Sequence, residues 1–375
     1  MRLLHVYSGN LYGGIEAILV SLARYRDLCP GLVQQFALCF DGRLSRELQA
    51  LGVPVHRLGE VRASRPLTIR RARRALATLV GAARYDRVIC HAPWSLGLFG
   101  GVVRRAGVPL AFWVHDAASG HHWTERWAKR TRPDLAICNS HYTSGLLPSL
   151  YNGVPVAVVY APVDVSPPRL SAAGREAVRA EFRTSGDAVV IIQASRMQAW
   201  KGHGVVLEAL VRLRGLSTWV WWIAGGSQRR EETAYIDTLV ASARRSGIED
   251  RLRWLGERQD VRRLLAAADV HCQANVAPEP FGVAYVEALA AGLPVVASSA
   301  GGAIEIVDNS CGVLVPPGDA EALARALEPL IADAGIRAKL GAGAPARARQ
   351  LCDPASQMLR LADALTTMQS VGAGA

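Results

Sequence analysis

The stretch Ala277-Pro-Glu-Pro-Phe-Gly-Val-Ala-Tyr-Val-Glu-Ala-Leu-Ala-Ala-Gly292 decides the fold that this sequence predicts. Two acidic residues, Glu279 and Glu287, lie eight positions apart within it. Proline has a fixed φ and no N–H group, so Pro280 suits the first turn of a helix. The residues after it predict a helix over 281–291 that ends at the closing glycine.

The predicted helix start suits an anionic ligand. Its first backbone N–H groups, those of Phe281, Gly282 and Val283, lack helical acceptors and lie at the positive pole of the helix dipole. Phosphate groups bind well at such ends, and a glycine lets a ligand come close to the backbone. The two carboxylates would then accept hydrogen bonds from ligand hydroxyl groups on either side of the phosphate. The alternative is that Glu279 caps the helix and Glu287 is a solvated helix residue.

Composition places the chain among globular α/β proteins. It has 375 residues, half of them hydrophobic, which suffices for two domains. Its seven cysteines are scattered and form no Cys-x-x-Cys pair, as expected of buried thiols in a reducing compartment. The beginning of the chain resembles a strand, not a secretory signal, and no apolar run reaches membrane-spanning length. We therefore expect a cytoplasmic protein.

The net charge of +11 leaves the kind of anionic partner open. No nucleic-acid-binding motif is present, so we expect no nucleic-acid partner. The densest basic segment is Arg62–Arg84, whose arginines would occupy one side of a helix opposite leucine, isoleucine and valine. This pattern fits peripheral contact with an anionic membrane on the inner face, or an ordinary solvated helix that packs on a sheet.

The first half of the chain alternates short apolar strands with helices. A strand over 2–8 leads into Gly9-Asn-Leu-Tyr-Gly-Gly14 and a helix, a unit typical of nucleotide-binding α/β domains. This loop matches neither Gly-x-Gly-x-x-Gly nor a Walker motif. Ligands of parallel sheets bind beyond the carboxyl ends of the strands, so the residues there are candidate site residues. They are Gly9, His91, His115, Asp116, Asn139 and Ser140.

The second half repeats the pattern. An apolar strand over 188–194 is followed by Ser195-Arg196 and Trp200-Lys201-Gly202. We predict an α/β fold with a first domain over 1–165, a linker over 166–186 and a second domain over 187–352. An amphipathic helical segment follows over 353–375, and its last residues, Gly372–Ala375, are expected to fray.

Residues 277–292 and the Gly-Leu-Pro-Val-Val that closes them resemble family 4 of the retaining glycosyltransferases, which have the GT-B fold. The resemblance implies two Rossmann-like domains facing a deep cleft, with a C-terminal helix that returns to the first domain. It covers most of the second half and, in the first half, mainly the paired glycines and His115.

The resemblance also implies a donor site. Glu279 would contact the donor sugar and Glu287 the ribose, while Arg196 and Lys201 would hold the diphosphate. Only three lysines occur, at 129, 201 and 339, and all other basic residues of the Lys/Arg type are arginine. The presence of a lysine at 201 in so arginine-rich a chain supports that role. The alternative is an ordinary surface charge. Further expected donor contacts are Phe281, Gly282 and Val283 at the helix start, and Gly13, Gly14, Gly225 and Arg258 in loops.

The first domain would bind the acceptor. His115 would face the transferred sugar and take part in catalysis with Arg196, Lys201 and Glu279. Further acceptor contacts would be Glu16, Asp116 and Asn139. Two of these residues have structural alternatives: His115 could bond a loop carbonyl, and Glu16 could be a first-turn helix charge.

The implied activity is retaining transfer of a sugar from a UDP- or GDP-sugar to a hydroxyl group of a glycan, lipid or small molecule. No Asp-x-Asp metal motif is present and protein cations can meet the diphosphate charge, so we expect no metal and no cofactor. Two alternatives stay open: a sugar-nucleotide epimerase of the same fold, and a non-catalytic sugar-nucleotide-binding protein.

Overall fold

A computed structural model describes residues 1–168, 170–216 and 219–368. The chain divides into two compact units, the first formed by Met1–Pro162 with the segment from Pro354 onward, the second by Val163–Asp353. The expected fraying of Gly372–Ala375, and with it the end of the segment 353–375, lies outside the described residues.

The first unit contains a parallel sheet of seven strands in the order β3-β2-β1-β4-β5-β6-β7. The strands are short and apolar, as expected where both faces of a parallel sheet are covered. Their bounds are Arg2–Tyr7 (β1), Val33–Leu38 (β2), Val55–Arg57 (β3), Arg87–His91 (β4), Leu110–Val114 (β5), Leu135–Cys138 (β6) and Val156–Val158 (β7).

Helices connect these strands and cover both faces of the sheet. They are Gly14–Arg24 (α1), Arg43–Ala50 (α2), Pro66–Ala82 (α3), Ala92–Arg105 (α4), Trp123–Ala128 (α5) and His141–Leu146 (α6). Strand order reverses between β1 and β4, so the loops that follow these two strands diverge and leave a crevice at the carboxyl edge.

The second unit has a parallel sheet of six strands in the order β10-β9-β8-β11-β12-β13, which reverses between β8 and β11. Its strands are Val189–Ala194 (β8), Trp219–Ala224 (β9), Leu252–Gly256 (β10), Val270–Gln273 (β11), Val295–Ser298 (β12) and Gly312–Val315 (β13). Its helices are Ala172–Glu181 (α7), His203–Arg212 (α8), Arg230–Arg245 (α9), Val261–Ala267 (α10), Val283–Ala290 (α11), Ala303–Ile306 (α12), Ala320–Ala332 (α13) and Ala334–Cys352 (α14).

Strand β9 is the most aromatic part of the second core. Trp219, Trp221 and Trp222 are all fully buried. The indole of Trp219 donates to the Leu213 carbonyl and that of Trp222 to the Thr184 hydroxyl. Burial of side chains this large contributes about 2–3 kcal/mol each, so this strand anchors the sheet.

The last described helix, Pro354–Thr367 (α15), belongs to the first unit. Gln357 accepts a hydrogen bond from the Tyr160 backbone, and Arg87 donates to the carbonyls of Leu365 and Met368. Hydrogen bonds between side chains and main-chain groups thus attach the helix to the first unit.

The segment 166–186, which we expected to be a linker, contains α7 and belongs to the second unit. Arg175 and Arg179 of this helix both pair with Asp269, which precedes β11. Arg179 is buried and also donates to the carbonyls of Gly186 and Ala188. These bonds fix α7 at the amino-terminal ends of strands β8 and β11.

Three expected element bounds were wrong. The helix of the deciding stretch begins at Val283, not at Phe281, because Gly282 adopts a φ of 109° that no helix contains. The segment 151–165, for which the sequence predicts the last strand of the first domain and an Ala-Pro-Val-Asp turn, contains only the short strand Val156–Val158. Helix α14 was missed, since its three glycines and Pro345 weaken the helical pattern.

Candidate active site

In the second unit, polar residues converge at the crevice between β8 and β11. The loop after β8 carries Arg196 and Lys201, and the loop after β11 carries Asn275 and Glu279. Because these strands are neighbours whose connections leave in opposite directions, their loops meet at the carboxyl edge.

An ion pair joins the two loops. The Lys201 ammonium lies 2.5 Å from a Glu279 carboxylate oxygen, and both side chains are largely buried. The same oxygen accepts from the Asn275 amide at 2.7 Å and from the Gln273 amide at 3.3 Å. The Lys201 ammonium also lies 4.0 Å from the centre of the Trp200 ring. Glu279 is therefore held in one orientation by three donors.

Close backbone contacts bring these loops together. Gly202 has a φ of 76°, and a Cβ atom there would lie 1.7 Å from the Ala274 carbonyl oxygen. A Cβ atom on Gly225, in the loop after β9, would lie 1.8 Å from the Ser195 carbonyl oxygen. Only glycine permits either contact. Gly225 therefore shapes the loop that carries Arg196.

Arg196 has a buried acidic partner. Its guanidinium lies 2.6 Å from a carboxylate oxygen of Glu232, which is 3% exposed, and the other oxygen accepts from the Gln228 backbone at 2.6 Å. The Nε of Arg196 is buried without a partner among the described residues. The guanidinium is thus fixed from one side.

The start of α11 lies beside Glu279. Glu279 forms a backbone bridge with Gly301, and the Gly302 amide donates to the Glu279 carbonyl at 2.7 Å. Gly282 caps the helix, so the first helical amides belong to Val283 and the residues after it, while Phe281 is buried. The corrected start keeps a helix N-terminus at this place, but without the Phe281 amide as part of it.

Glu287 lies in the second turn of α11. Its side chain makes no hydrogen bond or ion pair with any residue in the described part of the chain, and burial raises the pKa of its carboxyl to about 7, although Arg262 acts to lower it. Hydrogen bonds donated by a ligand would stabilise the charged form of this half-buried carboxylate.

Arg258 is occupied within its own unit. Its guanidinium donates to both carboxylate oxygens of Asp260 at 2.8 Å and packs over Phe182. Asp260 and Glu181 raise the pKa of Arg258, with the hydrogen bond to Asp260 as the largest cause.

In the first unit, the loop after β1 carries the paired glycines. Gly13 caps α1, and its amide donates to Glu16 at 2.8 Å. The second Glu16 oxygen accepts from the Tyr7 hydroxyl at 2.5 Å. Because Glu16 is 5% exposed and both of its oxygens are engaged, the side chain orders the Gly13-Gly14 loop.

His115 ends a row of buried histidines. Its Nε2 lies 2.9 Å from His91 Nδ1, and His91 Nε2 lies 2.9 Å from His5 Nδ1. His5 Nε2 in turn lies 3.0 Å from the side-chain oxygen of Gln34. Burial lowers the pKa of His5 to about 4 and that of His115 to about 3. The alternative in which His115 bonds a loop carbonyl is wrong, because Nε2 faces His91 and Nδ1 has no partner among the described residues. Contact with the transferred sugar stays a prediction.

The two remaining expected acceptor residues differ in exposure. Asp116 is exposed, whereas Asn139 is buried and donates to the His115 carbonyl at 3.2 Å. The Asn139 oxygen accepts from the Thr143 hydroxyl. Asn139 thus supports the backbone at His115.

Sequence reasoning missed several residues that shape these sites: Gln34, His5, Glu232, Gln273 and Asn275. Only Gln273 and Asn275 carried a visible signal, since they lie at or just past the end of β11, next to the switch point. The others act through contacts between distant segments, which one sequence does not display.

Further features concern the described residues, 1–168, 170–216 and 219–368. No helix there is long and apolar enough to cross a membrane, and no group of three or more acidic, histidine or cysteine residues is placed to hold a metal ion. Six of the seven cysteines are buried and all are free. Helix α3 buries Ile69, Ala72, Leu76 and Val80 against its own unit. Arg70, Arg71 and Arg74 are exposed, whereas Arg73 donates to the carbonyls of Gly97 and Leu98.

Two doubly wound α/β units, each with polar residues at its switch point, match the architecture of the GT-B fold. Family models match both halves of the chain: Glycosyltransferase Family 4 over residues 12–167, and Glycosyl transferases group 1 over residues 174–347. The chain belongs to family 4 of the GT-B glycosyltransferases, as the sequence predicted.

Curated relatives agree. The chain is 31% identical over 288 residues to a D-inositol 3-phosphate glycosyltransferase of Saccharomonospora viridis, a match that covers 71% of this chain and 66% of that protein. It is 34% identical over 163 residues to the lipopolysaccharide core biosynthesis glycosyltransferase LpsE of Rhizobium meliloti, covering 43% and 45%. The chain thus spans about half to two thirds of the length of such relatives.

A solved structure matches the whole chain. HepE of Anabaena, determined in complex with UDP and glucose, has a TM-score of 0.85 and 26% identity, with 98% of this chain and 100% of that chain covered. The same protein was also determined with UDP-glucose. The fold prediction of two Rossmann-like α/β units is confirmed by this match and by the two sheets.

Proposed function

We propose that this protein transfers a sugar, with retention at the anomeric carbon, from a nucleotide diphosphate sugar to a hydroxyl group of an acceptor. The carrying observation is the Lys201–Glu279 pair, which places a cation and an acid side by side at the crevice of the second unit. Complexes of the related HepE with UDP and UDP-glucose support a uridine donor, and a GDP-sugar is the other candidate.

Departure of the nucleoside diphosphate creates negative charge that the site must stabilise. Lys201 would supply a compact ammonium and Arg196 a planar guanidinium, the two cations of the loop after β8. The first amides of α11 add the positive pole of the helix. Loss of one such donor typically lowers the rate about 10²–10³-fold, so these groups account for a large share of the catalysis.

Glu279 would orient the sugar and Glu287 the ribose. The amides of Gln273 and Asn275 hold one Glu279 oxygen, so the carboxylate keeps its position when Lys201 turns to a phosphate. The Glu287 side chain has no hydrogen-bond or ion-pair partner among the described residues, and it would accept hydrogen bonds from the two ribose hydroxyl groups. We propose no metal ion, because protein cations meet the diphosphate charge.

The acceptor would bind to the first unit, near Gly13, Gly14 and His115. Relatives named for inositol phosphate and lipopolysaccharide core sugars support a role in glycoconjugate biosynthesis, with a glycan, a lipid-linked sugar or a small molecule as acceptor. The outward arginines of α3 would favour contact with an anionic membrane that holds such acceptors.

Thermal shift with UDP, GDP and a panel of their sugar conjugates tests the donor site. We expect one nucleotide to raise the melting temperature in the presence of EDTA, and Lys201→Ala and Glu287→Ala to abolish the rise. Lys339→Ala, which removes an exposed lysine on α14, is the matched control and should retain the rise. Full stabilisation in the Lys201 and Glu287 variants contradicts the proposed site.

Product analysis then separates the remaining classes. Incubation of the stabilising sugar nucleotide with candidate acceptors should release the nucleoside diphosphate and form a glycoside with the anomeric configuration of the donor. An epimerised sugar nucleotide would identify an epimerase. Binding without turnover, on every acceptor tried, would identify a non-catalytic binder.

A further inference from the structure

Four polar side chains cross the sheet of the first unit in a row. Gln34 lies on β2, His5 on β1, His91 at the end of β4 and His115 just past β5. These are four neighbouring strands, and each side chain bonds the next at 2.9–3.0 Å. The row is buried throughout, with exposures between 0 and 4%.

The hydrogen positions in this row follow from its first member. The Gln34 side-chain nitrogen donates to the Leu22 carbonyl at 3.2 Å, so its oxygen faces His5. An amide oxygen only accepts, and therefore His5 carries its proton on Nε2. A neutral imidazole has one N–H group, which leaves His5 Nδ1 as an acceptor.

The same reasoning fixes the protons of the next two rings, His91 and His115. His5 Nδ1 must accept from His91 Nε2–H, and His91 Nδ1 must then accept from His115 Nε2–H. All three rings are neutral near pH 7, because burial lowers the pKa of each well below that pH. Nδ1 of His115 is left without a proton, and it is buried without a partner in the described part of the chain.

Aromatic neighbours keep the rings from turning over. Phe36 stacks on His5 with the ring centres 4.8 Å apart. Trp113 stacks on both His91 and His115, at 5.4 and 5.6 Å. A flip of any ring would put its carbons Cδ2 and Cε1 in the places of Nδ1 and Nε2 and break the row, and these flat contacts oppose it.

We infer that Gln34, acting through His5 and His91, holds His115 in the Nε2–H tautomer, so that Nδ1 of His115 accepts a hydrogen bond from a ligand hydroxyl group. Gln34, His5 and His91 are positioning residues, and His115 is the residue that contacts the ligand. The identity of this ligand, the sugar of the donor, rests on the proposed function.

The selectivity of the position follows from its chemistry. A bare nitrogen lone pair attracts O–H and N–H donors and repels phosphate and carboxylate oxygens. The ring is 4% exposed, and the residue that follows it, Asp116, is exposed. A hydroxyl group that reached Nδ1 would remove the cost of a buried acceptor without a partner.

Nitrogen NMR of the full chain with ¹⁵N-labelled histidine tests the tautomer directly. The nine histidines are assigned by single substitutions, and protonated and bare ring nitrogens have well-separated shifts. We expect His5, His91 and His115 each to show a protonated Nε2 and a bare Nδ1 at pH 7.5. A protonated Nδ1 on His115 overturns the inference, with or without a ligand.

A matched pair of variants on β2 tests the role of Gln34. Gln34→Leu removes the acceptor that orders the row, and we expect a second population in which Nδ1 of His115 is protonated. Gln35→Leu is the control: Gln35 also accepts from a histidine, His56, but is not connected to the row. Identical His115 shifts in both variants would show that Gln34 does not set the tautomer, and circular dichroism checks that both are folded.

The ligand step is tested by adding UDP or UDP-glucose to the labelled protein. UDP-glucose, but not UDP, should move the His115 Nδ1 shift in the direction of an accepted hydrogen bond, and Gln34→Leu should weaken binding of UDP-glucose about tenfold. If UDP-glucose binds with no change at His115, the ligand step is wrong. If neither compound binds, the proposed donor is wrong, while the spectrum of the unliganded protein still decides the tautomer.

Discussion

The Glu287 carboxylate lies where its own charge is disfavoured. Burial raises the pKa of this group from 4.5 to about 7, so the folded chain binds more protons than the unfolded chain between these values. The free energy of unfolding therefore falls as the pH rises from 4.5 to 7, and it stays low above pH 7. A residue that costs stability in the unliganded protein fits a role in ligand binding.

Glu287→Gln should stabilise the unliganded protein at pH 8 by about 2 kcal/mol, because the amide has no charge to desolvate. At pH 5 most of this difference should disappear, since the wild-type carboxyl is then protonated in the folded state. Urea unfolding at both pH values measures it. Glu208→Gln, at an exposed site on α8, is the control and should be neutral at both. Equal effects of Glu287→Gln at pH 5 and pH 8 would contradict the raised pKa.

Arg196, in the loop after β8, depends on a residue of helix α9. Glu232, in the first turn of α9, is its buried partner at 2.6 Å and also holds the Gln228 backbone. Glu232→Gln should raise the dissociation constant for the nucleotide about tenfold, because a charged hydrogen bond that positions the guanidinium is weakened. Isothermal titration calorimetry measures this. The neighbouring Glu231→Gln, an exposed carboxylate, should leave the constant unchanged, and tighter binding in Glu232→Gln would show that the partner only restrains Arg196.

Residues with local signals were found from the sequence, and residues with distant partners were not. Lys201 and Glu279 fell in recognisable motifs, and the structure joins them in an ion pair. The role of each in the reaction is still a prediction. Glu232 and Gln34 have no motif, and their importance comes from partners 36 and 29 positions away. One sequence does not say which distant side chains meet.

At the scale of elements, the loops after β8 and β11 act as one unit. Gly202 adopts a left-handed backbone conformation and packs closely against the Ala274 backbone. This contact sets the positions of the neighbouring residues Lys201 and Asn275. Gly202→Ala adds a Cβ atom 1.7 Å from the Ala274 carbonyl oxygen. No rotation of a side chain relieves such a clash, so the two loops must separate.

We expect Gly202→Ala to destabilise the second unit by about 3 kcal/mol and to abolish the thermal shift caused by the nucleotide. Gly204→Ala, two residues on in α8, is the matched control. Its Cβ atom would lie 3.6 Å from the Tyr235 hydroxyl, an ordinary contact, and alanine favours the helix. The pair is compared by urea unfolding and by thermal shift. A retained nucleotide shift in Gly202→Ala would show that loop contact is not needed for binding.

Strands were predicted better than helix ends. Buried parallel strands are short apolar runs with polar residues at their carboxyl ends, and this pattern survives without knowledge of neighbours. The start of α11 was misplaced because Pro280 favours a helix start, while the bridge between Glu279 and Gly301 holds the chain extended. Helix α14 contains three glycines and a proline, and tertiary packing overrides that composition.

At the scale of the whole molecule, five buried imidazoles are distributed over the two units. His5, His91 and His115 lie in the first, and His203 and His271 in the second. Burial lowers the pKa of His5 to about 4 and those of His115, His203 and His271 to about 3, and it holds that of His91 well below 6.5. The unfolded chain then binds more protons below pH 6.5, so stability is lost as the pH falls through that value.

Each imidazole should cost about 2 kcal/mol at pH 5, so five together approach the whole stability of a typical protein. We expect both units to unfold near pH 5, above the range in which carboxylates take up protons, with tryptophan fluorescence and circular dichroism as readouts. His271→Leu removes an imidazole whose two nitrogens have no partner among the described residues, so it should raise stability at pH 7 and move the midpoint to lower pH. His121→Leu, at an exposed site, should leave the midpoint in place. Unfolding only below pH 4 would mean that the buried histidines do not govern acid stability.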